Sequence, residues 1–376
     1  LAGAVNRADD LFIHVGFCAL KALSRTGQSR PFHAQADGLI PAEGAGFVAL
    51  KRLDDALRDG DEIYGIIRGL GLSNDGRGRG LLAPSTEGQV RAIRQAMEQS
   101  GLDATDLSLV ECHATGTPVG DATEIQSMLE AYGPALGARS EPLPIGSLKS
   151  NMGHLITAAG IAGLIKVMEA MRHGIRPPSL HMDQPHPILS GAGVRVVTQA
   201  EPWETVDSQP RRAAISAFGF GGNNAHLIVE QASLSLDAEE PVTIGAPSGA
   251  IAVVGMGMVV GEAEDRRAFE EAVFDGGGLV RGGEARTERV GIRLGGLRFP
   301  PNDLRQALGQ QTTLLKAARE ALHETEGLPR DTTGIFIGMG ADPEVARYGA
   351  RWRMADWARR WGADEAWLAE ARDRVL

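Results

Sequence analysis

Residues 111–121 read Glu111-Cys112-His113-Ala114-Thr115-Gly116-Thr117-Pro118-Val119-Gly120-Asp121. The apolar run from Leu107 to Cys112 precedes this loop and is predicted to be a short strand that ends at His113. A helix is predicted to follow from Asp121 to Tyr132, with acidic residues in its first turn, where the helix dipole favours them. A histidine at a strand end that leads into a Gly/Thr loop is well placed to face a cleft.

The sequence around this stretch alternates strands and helices from residue 1 to about residue 230. The helical spacing of Thr86 to Ser100 predicts a helix, with Ser85 placed to cap its start and Gly101 to end it. Short β-rich runs predict strands on either side of it, at residues 44–50, 63–70, 213–219 and 225–230. This alternation is typical of an α/β fold.

A second part is predicted after residue 230. Residues 231–250 are polar, acidic and rich in Pro and Gly, so we interpret them as a linker. Residues 251–257 open a new strand, and a helix at 312–323 and a strand at 334–338 are expected further on. The sequence therefore predicts three regions: 1–230, a linker at 231–250, and 251–376. Four of the five tryptophans, Trp352, Trp357, Trp361 and Trp367, fall near the end of the last region.

Composition excludes several classes of protein. The chain has 376 residues, of which 43% are apolar, and a formal net charge of −10. That charge argues against a nucleic-acid or anionic-membrane partner, and no apolar run reaches the roughly 18 residues of a membrane span. Two cysteines fit a reducing, cytoplasmic location better than a disulfide scaffold. Because Leu1 stands first, we expect the chain to be part of a longer protein.

A second segment carries candidate catalytic residues. It reads Ile145-Gly146-Ser147-Leu148-Lys149-Ser150-Asn151-Met152-Gly153-His154 and leads into an apolar helix predicted from Leu155 to Met171. A neutral imidazole near a helix N-terminus can donate a hydrogen bond to developing negative charge. We expect Lys149 to form a buried ion pair with Asp121 or Glu124 that orients the site.

The third segment is Ser216-Ala217-Phe218-Gly219-Phe220-Gly221-Gly222-Asn223-Asn224-Ala225-His226. Its glycines allow backbone N–H groups to approach a substrate closely, as an oxyanion hole requires. Each segment alone is a weak signal, because single histidines and glycine-rich turns are usually structural. In combination and in this order, the three segments are specific.

Together with Pro31-Phe32, Asp37-Gly38 and Glu43-Gly44-Ala45-Gly46, the three segments resemble the C-terminal half of a β-ketoacyl synthase, the condensing enzyme of polyketide and fatty-acid synthases. The resemblance runs from Leu1 to about Glu230. It implies a partial thiolase-like fold of layered αβαβα type. Residues 251–376 resemble the N-terminal part of a second domain of this class, of ketosynthase or chain-length-factor type.

The resemblance also implies roles for individual residues. The family uses a Cys-His-His active site, in which His113 and His154 would polarise a malonyl thioester and stabilise the enolate formed by decarboxylation, with Lys149 beside them. The other implied groups are the oxyanion hole and acyl gate (Phe218, Gly219, Phe220), the pantetheine contacts (Thr115, Thr117, Asn223) and the structural support (Asp121, Glu124, Asn151). Asn223 departs from the commoner threonine.

The implied partners are an acyl carrier protein, acyl and malonyl thioesters, and a second subunit in a homodimer. The 4′-phosphopantetheine group would arrive on the carrier protein, and we predict no metal and no cofactor bound in the chain itself. Neither nucleic acid nor a membrane span is expected.

The family's nucleophilic cysteine, on an Asp-Thr-Ala-Cys-type turn, is absent from this sequence. We interpret Cys18 and Cys112 as small buried apolar residues, so the chain as given should not complete a condensation. Two alternatives stay open: a non-catalytic, chain-length-factor-like dimer subunit, and a thiolase acting on coenzyme A thioesters. A thiolase would carry a second cysteine towards its C-terminus, and none follows Cys112. His226 is predicted to be structural, and His173, His181 and His186 to be solvated.

Overall fold

The computed structural model describes residues 1–7, 10–76, 83–205, 209–219, 221–232, 250–295, 297, 300–323, 325, 328–329, 333–340 and 353–375. The strands are β1 Ala2–Asn6, β2 Gly44–Arg52, β3 Gly65–Asn74, β4 Leu109–Glu111, β5 Leu143–Gly146, β6 Ile175–Arg176, β7 Val194–Val196, β8 Glu201–Pro202, β9 Arg212–Gly219, β10 Asn223–Glu230, β11 Ile251–Val260 and β12 Phe336–Met339. The helices are α1 Asp10–Ala19, α2 Leu53–Asp59, α3 Thr86–Ser100, α4 Pro118–Gly137, α5 Lys149–Met152, α6 Ala159–His173, α7 Arg266–Phe274, α8 Pro301–Gln306, α9 Gly309–His323, α10 over residues 353–361, and α11 Glu365–Val375.

A mixed sheet runs through the described residues in the order β12-β1-β2-β11-β3-β10-β9-β4-β5-β7. The group β9, β4, β5 and β7 is parallel, and so is the edge pair β12 and β1. The successive pairs from β1 through β2, β11, β3 and β10 to β9 are antiparallel. The carboxyl ends of parallel strands lie at one edge of a sheet, where α/β proteins commonly place their sites. The loops that follow β4, β5 and β9 therefore converge there.

The core lies on both faces of this sheet. On one face, α6 packs with Ile161 and Ile165 over Gly46 of β2. On the opposite face, α3 and α9 lie so close to the sheet that a Cβ atom at Gly71 of β3 would collide with the carbonyl oxygen of Ala92, and one at Gly257 of β11 with that of Ala317. Only glycine permits this approach.

Most predicted elements between residues 44 and 230 are confirmed. The predicted caps of α3 are also correct, because Ser85 accepts a hydrogen bond from the Gly88 N–H and Gly101 adopts the left-handed conformation that ends helices. The helix predicted from Asp121 begins earlier, at Pro118, and the one predicted from Leu155 begins with a 3₁₀ turn over Ile156–Ala158.

The region downstream of residue 250 shares the sheet of the first region. β11 lies between β2 and β3, and β12 pairs in parallel with β1 at the sheet edge. Of the predicted linker, residues 233–249 lie outside the described residues, and the division of the chain into domains stays a prediction.

The tryptophans near the end of the chain form a small group of their own. Trp357 and Trp361 stack with ring centroids 5.9 Å apart, and Trp367 meets Trp361 edge-on at 6.1 Å, whereas Trp352 lies outside the described residues. Two-thirds of Trp361 is exposed. Among the described residues, no helix has the length and apolar character that crossing a membrane requires.

Candidate active site

Three loops at the carboxyl ends of parallel strands bring the predicted site residues together. His113 follows β4, Lys149 follows β5, and Phe218 stands next to the last residue of β9. β4 pairs in parallel with both β5 and β9, so these ends are neighbours. His154 joins them from the turn between α5 and α6.

The loop that carries His113 is held by two buried carboxylates of α4. Glu124 accepts hydrogen bonds from the backbone N–H groups of His113 and Ala114, at 2.8 and 2.7 Å. Asp121 accepts from the N–H groups of Thr115, Gly116 and Phe32, at 3.0, 3.2 and 2.8 Å. The helix start and the loop are thereby locked together, so these carboxylates position the first histidine through its backbone.

The backbone of His154 is fixed on both sides by residues 40–42. Its N–H donates to the Ile40 carbonyl at 2.6 Å, and its carbonyl accepts from the Ala42 N–H at 3.0 Å. Its ring nitrogen Nδ1 accepts from the backbone N–H of Ile156 at 3.1 Å. Because Nδ1 acts as an acceptor, the proton of the neutral ring belongs on Nε2, which is left as a donor for a ligand.

The two imidazoles meet edge to face, with ring centroids 5.2 Å apart and an interplanar angle of 78°. Burial, together with the smaller effect of the Lys149 charge, lowers the pKa of His154 to about 3. Burial and the same lysine also hold the pKa of His113 well below its usual range. Both rings are therefore neutral at pH 7 and able to donate a hydrogen bond without carrying charge.

Within the described part of the chain, the buried Nδ1 atom of His113 has no hydrogen-bond partner. The Phe218 ring lies 6.1 Å from the His113 ring, centroid to centroid. A buried polar atom without a partner is uncommon, and such atoms often mark places where a ligand binds. The arrangement therefore places two neutral imidazoles beside the ring of Phe218.

Lys149 does not form the predicted ion pair. Among the described residues, no ion pair joins its side chain to Asp121 or Glu124, whose oxygens bind backbone N–H groups instead. The Nζ atom lies 3.5 Å from the carbonyl oxygen of Cys112. Burial lowers the pKa of this ammonium group, and the charges of the surrounding carboxylates oppose that shift. Lys149 thus acts on the two histidines through its positive charge, which lowers their pKa.

A buried ion pair that the sequence patterns did not predict lies behind the site. The Lys166 Nζ atom lies 2.5 Å from Oε2 of Glu111, and both side chains are almost fully buried. Oε1 of Glu111 accepts from the N–H of Leu148, the residue before Lys149, at 2.7 Å. The signal was present, because a lysine in an otherwise apolar helical run needs a buried partner.

The residues predicted to contact pantetheine are only partly close together. The hydroxyl groups of Thr115 and Thr117 lie 3.0 Å apart on the His113 loop. Asn223 is exposed at the start of β10, where Nδ2 of Asn74 donates to its side-chain oxygen. Gly219 is exposed beside it, and Phe220 lies outside the described residues. The Nδ2 atom of Asn151, in contrast, is buried without a hydrogen-bond partner among the described residues.

The two cysteines differ from each other. Cys112 is fully buried, and burial raises the pKa of its thiol well above the usual range, which confirms the interpretation as a small apolar residue. Cys18 is exposed on α1, so the same interpretation was wrong there. Its side chain has no hydrogen-bonded base among the described residues, which a thiolate nucleophile would need.

His226 is structural as predicted, since it bridges the Tyr132 hydroxyl at 3.0 Å and the Ser216 hydroxyl at 3.1 Å. One cluster with metal-ligand side chains occurs in the described residues, formed by Glu169, His173 and Glu270. Arg266 already pairs with both of its carboxylates, at 3.4 Å each, so the cluster is best described as an ion-pair network.

Two family models match the chain. The β-ketoacyl synthase N-terminal domain matches residues 1–56, and the β-ketoacyl synthase C-terminal domain matches residues 64–183. The chain is 46% identical over 252 residues to the phenolphthiocerol synthesis polyketide synthase type I Pks15/1 of Mycobacterium bovis, covering 66% of this chain and 12% of that protein. It is 36% identical over 360 residues to the pikromycin polyketide synthase component PikAIII of Streptomyces venezuelae, covering 90% of this chain and 22% of that protein.

Solved structures agree with these matches. The ketosynthase from module 6 of the bacillaene synthase of Bacillus subtilis is similar with a TM-score of 0.59 and 38% identity, covering 61% of this chain and 42% of that one. A PfaC ketosynthase–chain length factor is similar with a TM-score of 0.57 and 41% identity, covering 61% of this chain and 24% of that one. The chain thus spans well under half the length of the relatives it matches. Over residues 1–56 and 64–183, the chain belongs to the β-ketoacyl synthase family, with a thiolase-like α/β fold.

Proposed function

We propose that the site formed by His113 and His154 decarboxylates a malonyl thioester, as the enolate-forming half of a condensation in polyketide or fatty-acid biosynthesis. The bond between the methylene carbon and the carboxylate breaks, carbon dioxide leaves, and the electron pair becomes an enolate with its charge on the thioester oxygen. Two hydrogen-bond donors at that oxygen stabilise the charge. The enolate carbon then either takes a proton or attacks the carbonyl carbon of an acyl thioester, in which case the carbon–sulfur bond breaks and the thiolate leaves with its electron pair.

The observation that carries this proposal is the neutral ring pair. His154 has its proton on Nε2, because the Ile156 N–H occupies Nδ1. A neutral donor gains most from a ligand whose negative charge develops during the reaction, and a buried site with little water strengthens that gain. Burial keeps both rings neutral, and the charge of the nearby Lys149 lowers the pKa of each ring in the same direction. The lysine also adds positive potential where the carboxylate of the substrate would arrive.

The substrate is proposed to arrive on the 4′-phosphopantetheine arm of an acyl carrier protein. The adjacent hydroxyl groups of Thr115 and Thr117 offer donors and acceptors for the amides of such an arm, and the exposed Asn223 lies on a different loop, at the start of β10. We extend the proposal to a cytoplasmic homodimer that needs no metal. The family members named above are polyketide synthases, which supports the choice of substrate class.

The acyl-transfer half of the reaction is not assigned to this chain. Cys112 is buried with a raised pKa, and Cys18 is exposed without a base. A chain-length-factor-like subunit is the alternative, and the similarity to a PfaC ketosynthase–chain length factor is the observation that keeps it in view. Such a subunit would not turn over a malonyl thioester by itself.

The test is carbon dioxide release from malonyl-pantetheine by the full 376-residue chain. The proposal predicts release above the uncatalysed rate, and a fall of about 10²–10³-fold in His154→Ala, the usual effect of losing one such donor. His173→Ala is the matched control, because His173 lies in the surface ion-pair network and should leave the rate unchanged. Equal rates for His154→Ala and wild type would contradict the proposal, and no release at all would favour the chain-length-factor alternative.

A further inference from the structure

The region downstream of residue 250 makes contacts that a separate domain would not make. β11 pairs with β2 from Ile251↔Arg52 to Val260↔Gly44 and also with the first residues of β3. Every residue of β11 except Ile251 is buried. Strands buried on both faces in the middle of a sheet belong to its core, because their backbone groups depend on both neighbours.

The packing of β11 repeats that of β3. A Cβ atom at Gly255 or Gly257 of β11 would collide with the backbone carbonyl of Ala321 or Ala317 in α9, respectively. A Cβ atom at Gly69 or Gly71 of β3 would collide in the same way with the carbonyl of Ala96 or Ala92 in α3. Two strand–helix units with the same Gly-x-Gly contact therefore lie side by side, and the downstream unit fits the sheet as closely as the upstream one does.

The chain can make this connection within one molecule. Glu230, where β10 ends, pairs with Ile66, and Ile251, where β11 begins, pairs with Ile67. The two ends therefore lie on either side of β3, roughly 10 Å apart at two strand spacings. The chain from residue 231 to residue 250 is long enough to cover several times that distance.

Beyond β11, the chain reaches the segment that holds the second histidine. The Ala285 carbonyl accepts from the Glu43 N–H at 2.7 Å, and the Thr287 N–H donates to Glu43 Oε2 at 3.1 Å. The Gly261 N–H donates to the Glu43 carbonyl at 3.1 Å. Three backbone groups of the downstream region thus fix Glu43, the residue that follows the 40–42 segment on which the His154 backbone is anchored.

A second contact reaches the active-site turn directly. The Leu279 N–H donates to the Asn151 carbonyl at 2.6 Å, and the Leu279 side chain is buried in the core cluster beneath it. Asn151 lies in α5, between Lys149 and His154. The turn that carries Lys149 and His154 is therefore held from outside by a residue of the downstream region.

We propose that residues 251–287 are a positioning segment for the histidine site: they complete the sheet of residues 1–230 and hold the 40–43 segment and α5, and with them the His154 backbone, in place. The proposed partner of the upstream region is thus the chain's own downstream segment. This inference concerns the support of the site and stands whether or not the site decarboxylates a malonyl thioester.

Amide hydrogen exchange of the full chain tests this support. Leu279→Pro removes the N–H that reaches Asn151, whereas Leu279→Ala shortens the same side chain and keeps the N–H. The proposal predicts that exchange over residues 149–156 and 40–43 rises by about tenfold or more in Leu279→Pro beyond that in Leu279→Ala, with α3 unchanged, because the opening is local. Unchanged exchange over residues 149–156 in Leu279→Pro would overturn it.

A second measurement does not depend on that substitution. A protease site placed between residues 233 and 249 allows the folded full chain to be cut into its two regions without denaturation. The proposal predicts that the two pieces elute together on gel filtration at micromolar concentration, at the position of the uncut chain, as a shared sheet core requires. Separation of the pieces, with residues 149–156 still protected in the upstream one, would overturn it.

Discussion

The rings of His113 and His154 meet edge to face, with their centroids 5.2 Å apart, although 41 positions separate them in the sequence. Two backbone anchors produce this contact. Glu124 holds the His113 loop from α4, and residues 40–42 hold the His154 turn. The pair is therefore set by rigid supports, which is how sites keep donors aimed at a charge that exists only in the transition state.

Lys149→Met should raise the pKa of both histidines. The ammonium group lowers the pKa of each ring, so replacing it with a neutral side chain of similar length removes this cause and leaves burial, which is the larger one. The acid limb of the pH–rate profile for carbon dioxide release should then move to higher pH. Lys149→Arg, which keeps the charge, is the control. A profile that is identical in Lys149→Met and wild type would remove Lys149 from the site.

The Glu111–Lys166 pair should show strong coupling in a double-mutant cycle. Glu111→Gln leaves the Lys166 ammonium group buried without its partner, and Lys166→Met leaves the Glu111 carboxylate buried without its partner. Each single change should therefore lower the free energy of unfolding by on the order of 3–5 kcal/mol. The double variant should cost much less than the sum of the two. Additive effects in urea denaturation would mean that the pair makes no contribution as a pair.

Gly71→Ala should destabilise the protein while Gly137→Ala should not. A Cβ at position 71 collides with the Ala92 carbonyl, a backbone atom that cannot move without shifting α3, whereas the space around Gly137 at the end of α4 is open. We expect Gly71→Ala to lower the free energy of unfolding by about 1–3 kcal/mol or more, and Gly137→Ala to leave it unchanged or raise it slightly. Thermal unfolding of the two variants measures both.

Buried histidines should make the fold sensitive to acid. Burial lowers the pKa of His226 to about 3 from 6.5, so below pH 6.5 the unfolded chain binds a proton that the folded chain does not. Stability is therefore present above pH 6.5 and is lost as the pH falls towards the folded value, at about 2 kcal/mol per such histidine by pH 5.

Buried carboxyl groups act in the opposite direction over part of this range. Burial raises the pKa of Asp121 to about 6 and of Glu124 and Glu169 to about 7, and their effect on stability is to weaken the fold as the pH rises through 4 to 7. His226→Asn isolates the histidine contribution, because it leaves these carboxyl groups in place. When the pH is lowered from 7 to 5, the urea midpoint should fall less, or rise more, in this variant than in wild type; the same change in both would refute the assignment.

Local signals made much of the upstream region predictable. The caps of α3 and the strand before His113 follow from residues that are neighbours in the sequence, and the structure confirms them. The meeting of His113 with His154 followed from the family resemblance rather than from spacing. The contact itself depends on β4 and β5 being adjacent and parallel, which no local pattern reveals.

The predictions were wrong where contacts between residues far apart in the sequence determine the structure. Lys149 was predicted to pair with Asp121 or Glu124, but those carboxylates accept hydrogen bonds from backbone N–H groups instead. Cys18 was expected to be buried on residue type alone and is exposed. The placement of β11 inside the upstream sheet could not be predicted, because pairing between strands about 200 residues apart leaves no local mark.

The proposed chemistry requires above all that His154 is a neutral imidazole with its proton on Nε2. Long-range ¹H–¹⁵N correlation spectra of the full chain with ¹⁵N-labelled histidine, recorded from pH 7 down to pH 5 and assigned with His154→Asn, measure this directly. The structure predicts a neutral ring with a protonated Nε2 and an acceptor Nδ1 over the whole range, because burial and Lys149 lower its pKa to about 3. An imidazolium at pH 7, or a proton on Nδ1, would contradict the account.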